Sequence, residues 1–161
     1  MTLAYVFWHS RRSDISEPAY RAALEAFHTA LRSSPPAGFL RSQVFRVSSV
    51  PWLVSEHEAY EDWYLLENSA AIDPLNSAAV SSPRQHSHDT VARMAANGTA
   101  GLYLLRQGEL PAAPVHIAYW FAKPGSDSYP ALYDRLAPQS RSGALWGRQM
   151  VLGPTRSIEN S

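Results

Sequence analysis

His9, His28 and the adjacent carboxylates Glu61 and Asp62 are the side chains in this sequence best suited to chemistry. His9 closes an aromatic run, Leu3 to His9, and lies in register with Leu3, Tyr5 and Phe7. An imidazole beside aromatics at a strand end can serve as general acid or base near neutral pH. The plainer reading is a surface histidine at a strand–loop junction. Asp62 alternates with Tyr60, Tyr64 and Leu66, whereas Glu61 shares the other face with Trp63 and Leu65. In a half-buried central strand one of these carboxylates must point toward apolar surroundings, which raise a carboxyl pKa and suit it to proton transfer. The alternative for either is an ion pair with one of the many arginines. His28 stands four residues after Leu24 on the shoulder of a helical stripe. There it either points into a pocket or hydrogen-bonds at the helix end. Arg11 and Arg12 can hold a carboxylate-bearing ligand through paired hydrogen bonds, or simply form a solvated loop.

Other constellations are weaker. "QHSHD" from Gln85 to Asp89 invites a metal reading, but residues two apart on a helix point to nearly opposite sides, so His86 and His88 would not share an ion. In an extended stretch they would share a side, yet the sequence fixes no third ligand. His57 and His116 have no distinctive context beyond nearby aromatics, and no haem ligand can be singled out. The chain has no cysteine, which removes thiolate catalysis, disulfides and Cys-ligated metal sites. It also has no glycine-rich phosphate loop and no G-x-S-x-G nucleophile elbow. Neither a metal nor a cofactor is expected.

The elements that must position these residues follow from periodicity. Leu3 to His9 is apolar on both alternating faces, as a central strand is. Ser13 to Ser16 offers capping side chains, Pro18 suits a first helical turn, and Tyr20, Leu24, Phe27 and Leu31 form one apolar helical stripe. Ser33 to Pro36 ends that helix. Gly38 to Ser48 and Tyr60 to Glu67 read as the second and third strands. A short helix is predicted from Asp73-Pro74. Another is predicted from Ser82-Pro83, carrying His88, Val91 and Ala95 on one face and ending at Asn97-Gly98. Ala100 to Arg106 is the fourth strand. The order is β-α-β-β-α-β, a ferredoxin-like unit over residues 1–106.

The pattern then restarts. "AYVFW" from Ala4 is echoed by "AYWFA" at Ala118 to Ala122, Ser13-Asp14 by Ser126-Asp127, and "GFLRSQVFRV" from Gly38 by "GALWGRQMVL" from Gly143. These echoes predict a partial second β-α-β over residues 115–161, joined through a connector at 107–114. The expectation is one α+β domain whose missing strands a partner chain supplies.

Fourteen basic residues balance fourteen acidic ones, so nothing draws the chain toward nucleic acid or an anionic membrane. No apolar stretch approaches the roughly 20 residues of a membrane span, and the first apolar run is too short for a signal peptide. A cytoplasmic protein is expected.

Residues 5 to 31 resemble the opening of EthD-type proteins of the dimeric α/β-barrel superfamily. The shared features are the strand Tyr5 to Trp8, the basic Arg11-Arg12 loop, the helix with Tyr20 and Phe27, and His28 near its end. "EDWYLLENSAAIDPLNSAAV" from Glu61 is similar to the third strand and following helix of that superfamily, including antibiotic-biosynthesis monooxygenases. The resemblance covers roughly the first 105 residues. It implies two sheets packed into a dimeric α/β barrel, with a ligand pocket in the barrel or between sheet and helices. Relatives include cofactor-free oxygenases, isomerases, polyketide cyclases and haem-handling enzymes, so fold alone does not choose the chemistry.

The leading expectation is an enzyme without a bound cofactor, of isomerase, cyclase or monooxygenase type. It would use acid–base chemistry on an apolar aromatic or polyketide-like compound. His9, Asp62 and His28 are the catalytic candidates; Tyr5, Phe7, Arg11, Arg12 and Tyr64 are the candidate substrate contacts. Eighteen aromatic residues can line such a pocket or fill a core. A non-catalytic ligand-binding or assembly module of the same fold is the alternative, and a haem enzyme a further one. A homodimer is expected in either case.

Overall fold

The computed structural model describes residues 1–48, 50–55, 57–110, 117–138 and 143–152. Its elements run β1 (Leu3–Arg11), α1 (Glu17–Ser33), β2 (Phe39–Val47), β3 (Ala59–Leu66), α2 (Ile72–Ala79), α3 (Gln85–Met94), β4 (Ala95–Gly108), α4 (Tyr129–Leu136) and β5 (Ala144–Leu152). They form an α+β structure on one five-stranded sheet of order β2-β3-β1-β4-β5, with every neighbouring pair antiparallel. No helix among the described residues is long and apolar enough to cross a membrane.

Helix α1 starts where the capping signals place it. Ser16 accepts from the Ala19 amide and Pro18 occupies the first turn, where its missing N–H costs nothing. Its stripe buries Tyr20, Leu24, Phe27, His28 and Leu31 against the sheet. Leu24 and Leu31 are fully enclosed, each worth roughly 2 kcal/mol of apolar burial. Strand β3 is buried along its whole length, because β1 and β2 flank it and both its faces are covered.

The pleat sorts the two faces. Leu3 and Tyr64 join Phe27, Leu31 and Leu75 on the helix side. Ala4, Val6, Trp8, Trp63 and Leu65 pack on the other side with Val50 and Tyr103. That second face is closed by rings: Trp8, Trp52, Trp63, Trp120 and Trp146, all five tryptophans of the chain, form one connected cluster.

Two elements depart from expectation. Helix α3 ends at Met94, not at Asn97-Gly98, and β4 begins at once with Ala95 paired to Arg11. Gly98 therefore lies within the strand opposite His9. A Cβ there would sit 2.4 Å from the Phe7 ring, so its glycine serves close approach rather than helix termination. The strand expected over Ala118 to Ala122 does not form. The free edge of β4 is taken by β5, and Trp120 turns into the tryptophan cluster instead. His116 and residues 111–114 of the expected connector lie outside the described residues.

Candidate active site

Strand register brings the site together. Phe7 pairs with Asp62 and His9 with Tyr60, so His9 and Asp62 are diagonal neighbours on the helix-side face. His9 Nε2 lies 3.2 Å from Asp62 Oδ2. From α1, His28 reaches the same carboxylate, its Nε2 3.4 Å from Oδ1. Both approaches are off-axis, so they act as electrostatic contacts rather than aligned hydrogen bonds. Tyr64 donates its hydroxyl to Asp62 Oδ2 at 3.0 Å. Each imidazole also stacks on a tyrosine of β3: His9 on Tyr60 at 5.8 Å, His28 on Tyr64 at 5.4 Å.

A hydroxyl meets the far nitrogen of each ring. His9 Nδ1 is 2.7 Å from Tyr20 Oη, and His28 Nδ1 is 2.7 Å from Ser42 Oγ. The tautomers follow from charge: a carboxylate repels a nitrogen lone pair, so each Nε2 facing Asp62 carries a proton and each Nδ1 accepts from its hydroxyl. The result is a chain, Tyr20–His9–Asp62–His28–Ser42, whose members are all buried.

Burial by itself would push the Asp62 carboxyl up; the two imidazoles outweigh it and hold the group well below the usual carboxylate range. Asp62 is thus a carboxylate. Tyr20 and Tyr64 are driven above the ordinary phenol value, first by burial and then by the Asp62 charge. They remain proton donors. Tyr5, half-buried, is raised by the same two causes.

This chain lies at the inner end of a cavity of about 400 Å³ between the sheet and the helices. Tyr5, Phe7, His9, Asp62 and Tyr64 contribute from the sheet, Tyr20 and Phe27 from α1. Ala92, Ala95 and Gly98 leave the space open along α3 and the start of β4. The polar end is nearly sealed: His9 is 1% exposed and Asp62 3%.

The fold is ferredoxin-like. Among solved structures the chain is similar to At3g17210 from Arabidopsis thaliana, at 7% identity over 67% of this chain and 99% of that one, with a TM-score of 0.50. SnoaB, a cofactor-independent oxygenase from Streptomyces nogalater, matches at 11% identity over 66% and 94% of the two chains, TM-score 0.49. An EthD family protein from Bacillus halodurans matches at 16% identity over 63% and 96%, TM-score 0.40. At these identities the likeness is one of fold alone. No protein-family model matches the chain, and no curated protein does.

Within this ferredoxin-like frame the candidate residues separate. His9, Asp62, Tyr5, Phe7 and Tyr64 all line the cavity. His28 touches Asp62 from behind and is not on the cavity wall. Arg11 and Arg12 are not there either. The register with β4 slips at Ser10/Arg11, and Arg11 bonds the Ile15 carbonyl and lies 3.6 Å from Glu58. Arg12 faces solvent in a pair with Asp14. Among the described residues no Arg or Lys lines the cavity.

Tyr20 and His88 also line the cavity; in the sequence the first is not a site candidate and the second is weighed only for a metal. Tyr20 reads as core because it sits on the apolar stripe; nothing local shows that its hydroxyl meets His9. His88 lines the cavity from α3, with Nδ1 3.0 Å from Asp89 Oδ1. Its place on one face with Val91 was the available signal. His86 is not among the lining residues, and no cluster of three or more metal-ligating side chains occurs among the described residues.

Proposed function

We propose that the protein is a small-molecule enzyme that uses acid–base chemistry on an uncharged aromatic or polyketide-like compound. The observation that carries this reading is the Asp62 carboxylate held between two imidazoles at the inner end of an apolar cavity. The largely apolar wall, with Phe7, Phe27, Leu75 and Val91 among its residues, supports an uncharged substrate.

In this reading His9 is the base. Its free valence is Nδ1, and the Tyr20 hydroxyl covers it. A substrate proton passes to Tyr20 Oη as Tyr20 hands its own proton to Nδ1. The imidazolium so formed faces Asp62, whose charge stabilises it. Tyr5 keeps its proton and can donate a hydrogen bond to the oxygen on which negative charge develops. Return of the proton to another atom of the same molecule completes an isomerisation or cyclisation.

The test is deuterium exchange, followed by NMR, at the activated C–H positions of aryl ketones and phenols in the presence of purified protein. Exchange that depends on His9 and Asp62 supports the reading. Binding without exchange favours a ligand-binding module, for which the near-complete enclosure of His9 and Asp62 speaks. Neither binding nor exchange overturns both.

We also propose that the protein is a homodimer. Trp52 and Trp120 are partly exposed at the tryptophan face, and Ile117, Tyr119 and Phe121 are exposed beside Trp120. Such a patch is large for a lone chain. A mass of 17.8 kDa in solution at micromolar concentration would overturn this.

A further inference from the structure

The Asp62 carboxylate has two arms, and only one of them reaches the cavity. The other runs through His28 to Ser42. Neither His28 nor Ser42 lines the cavity, so neither meets a ligand there. An imidazole on an apolar helix stripe is costly to bury without purpose, and here its two nitrogens meet a hydroxyl at 2.7 Å and a carboxylate oxygen at 3.4 Å.

We infer that His28, backed by Ser42, is a positioning residue that holds Asp62 from the side opposite His9 and, through Asp62, governs how strongly His9 holds its added proton. The inference rests on the proposed role of His9 but deepens it. Ser42 donates to His28 Nδ1 and thereby keeps the Nε2 proton facing Asp62 Oδ1. That contact takes part of the carboxylate's charge. The remainder is shared by His9 and Tyr64 at Oδ2. When His28 is removed, His9 and Tyr64 share the whole charge and His9 holds its proton more tightly. Loss of any positive charge on His28 acts in the same direction.

The groups facing this pair are few. Tyr20 and His28 approach from α1, Tyr5 from β1, Tyr60 and Tyr64 from β3, Ser42 from β2, and His88, itself paired with the partly exposed Asp89, lines the cavity from α3. Of these only the histidines change charge near neutral pH, while Asp62 stays a carboxylate there.

The experiment is a 15N-imidazole NMR titration of the full chain, which needs no substrate. In the wild type, His9 and His28 should both show the Nε2–H tautomer. His28→Leu should move the His9 titration midpoint upward by about one pH unit. His28→Gln keeps an N–H donor toward Asp62 and should recover most of the shift. Ser42→Ala, the mildest variant, should cost His28 its single tautomer and shift His9 in the same direction by less. A His9 midpoint unmoved in folded His28→Leu and Ser42→Ala proteins would overturn the inference. Because the titration reads His9 without turnover, a protein inactive on every compound sinks the proposed function and leaves this question answerable.

Discussion

Glu61 and Asp62 are neighbours in sequence, carry the same functional group and are equally buried, yet they live in different chemistry. Asp62 faces the helices and is held by His9, His28 and Tyr64 beside a cavity. Glu61 faces the other side and accepts from two indoles, Trp8 Nε1 at 2.8 Å and Trp63 Nε1 at 3.2 Å. An imidazole takes and gives a proton near neutral pH, whereas an indole N–H only donates. One carboxylate can therefore back a proton transfer, while the other satisfies and fastens an aromatic cluster. The difference comes from the pleat, which points adjacent residues of β3 to opposite faces.

The largest test of this contrast is to neutralise each acid. Asp62→Asn and His9→Ala should each lower kcat/KM by about 10²-fold or more, the usual scale for losing a general base or its partner. Circular dichroism should show the sheet intact. Retention of full activity by either variant would break the comparison, since Asp62 would then be no more chemical than Glu61.

Glu61→Gln should do the reverse. The two indoles bond different carboxylate oxygens, Trp8 to Oε1 and Trp63 to Oε2, and glutamine replaces one of them with NH₂, so one N–H is left facing a donor. The cost is about 1–3 kcal/mol of stability, the usual penalty for stranding a buried donor. Activity should stay within about twofold, because Glu61 does not line the cavity. Denaturant unfolding followed by tryptophan emission measures this, since all five tryptophans belong to that cluster.

Acid should sharpen the contrast further. The Asp62 carboxyl titrates lower in the folded protein than in the unfolded chain, where about 3.9 applies. Its stabilising contribution is therefore complete above roughly pH 5 and is lost as pH falls toward the folded value. Thermal melts from pH 7 to pH 3 should show wild type losing more Tm than Asp62→Asn.

The sequence made the strands and the long helix legible because their periods are clear. Alternation along β3 put Asp62 and Glu61 on opposite faces before any register was known. It did not say which face held the cavity, because Tyr60, Tyr64 and Leu66 look as apolar as Trp63 and Leu65. A slip of one residue against β1 would have exchanged the two acids. The misplaced arginines have a local cause: the irregularity at Ser10/Arg11 breaks the alternation just where it was needed. The missing strand at Ala118 to Ala122 was a competition between segments for one sheet edge, and composition could not show that β5 would win it. Tyr20 was hidden by its own consistency, since a tyrosine on an apolar stripe satisfies the packing pattern whether or not its hydroxyl is used.

Tyr20 also supplies the smallest test, one that separates two routes into His9. If the proton passes through the phenol, Tyr20→Phe removes the relay but uncovers His9 Nδ1, so a substrate can still reach the base directly. A loss of about tenfold is expected, near 1.4 kcal/mol of transition-state stabilisation. Stability should fall by about 1 kcal/mol, because His9 Nδ1 loses its partner at 2.7 Å. Rate measurements in mixtures of light and heavy water add the deciding readout. The substrate C–H proton is not equilibrated with solvent, so the relay moves one exchangeable proton, that of the Tyr20 hydroxyl, and direct transfer moves none; the wild-type rate should fall along a straight line with deuterium fraction and that of Tyr20→Phe should be independent of it. A rate independent of deuterium fraction in both proteins would mean that Tyr20 only orients the imidazole. A loss as large as that of Asp62→Asn would mean that the phenol itself is the reacting group.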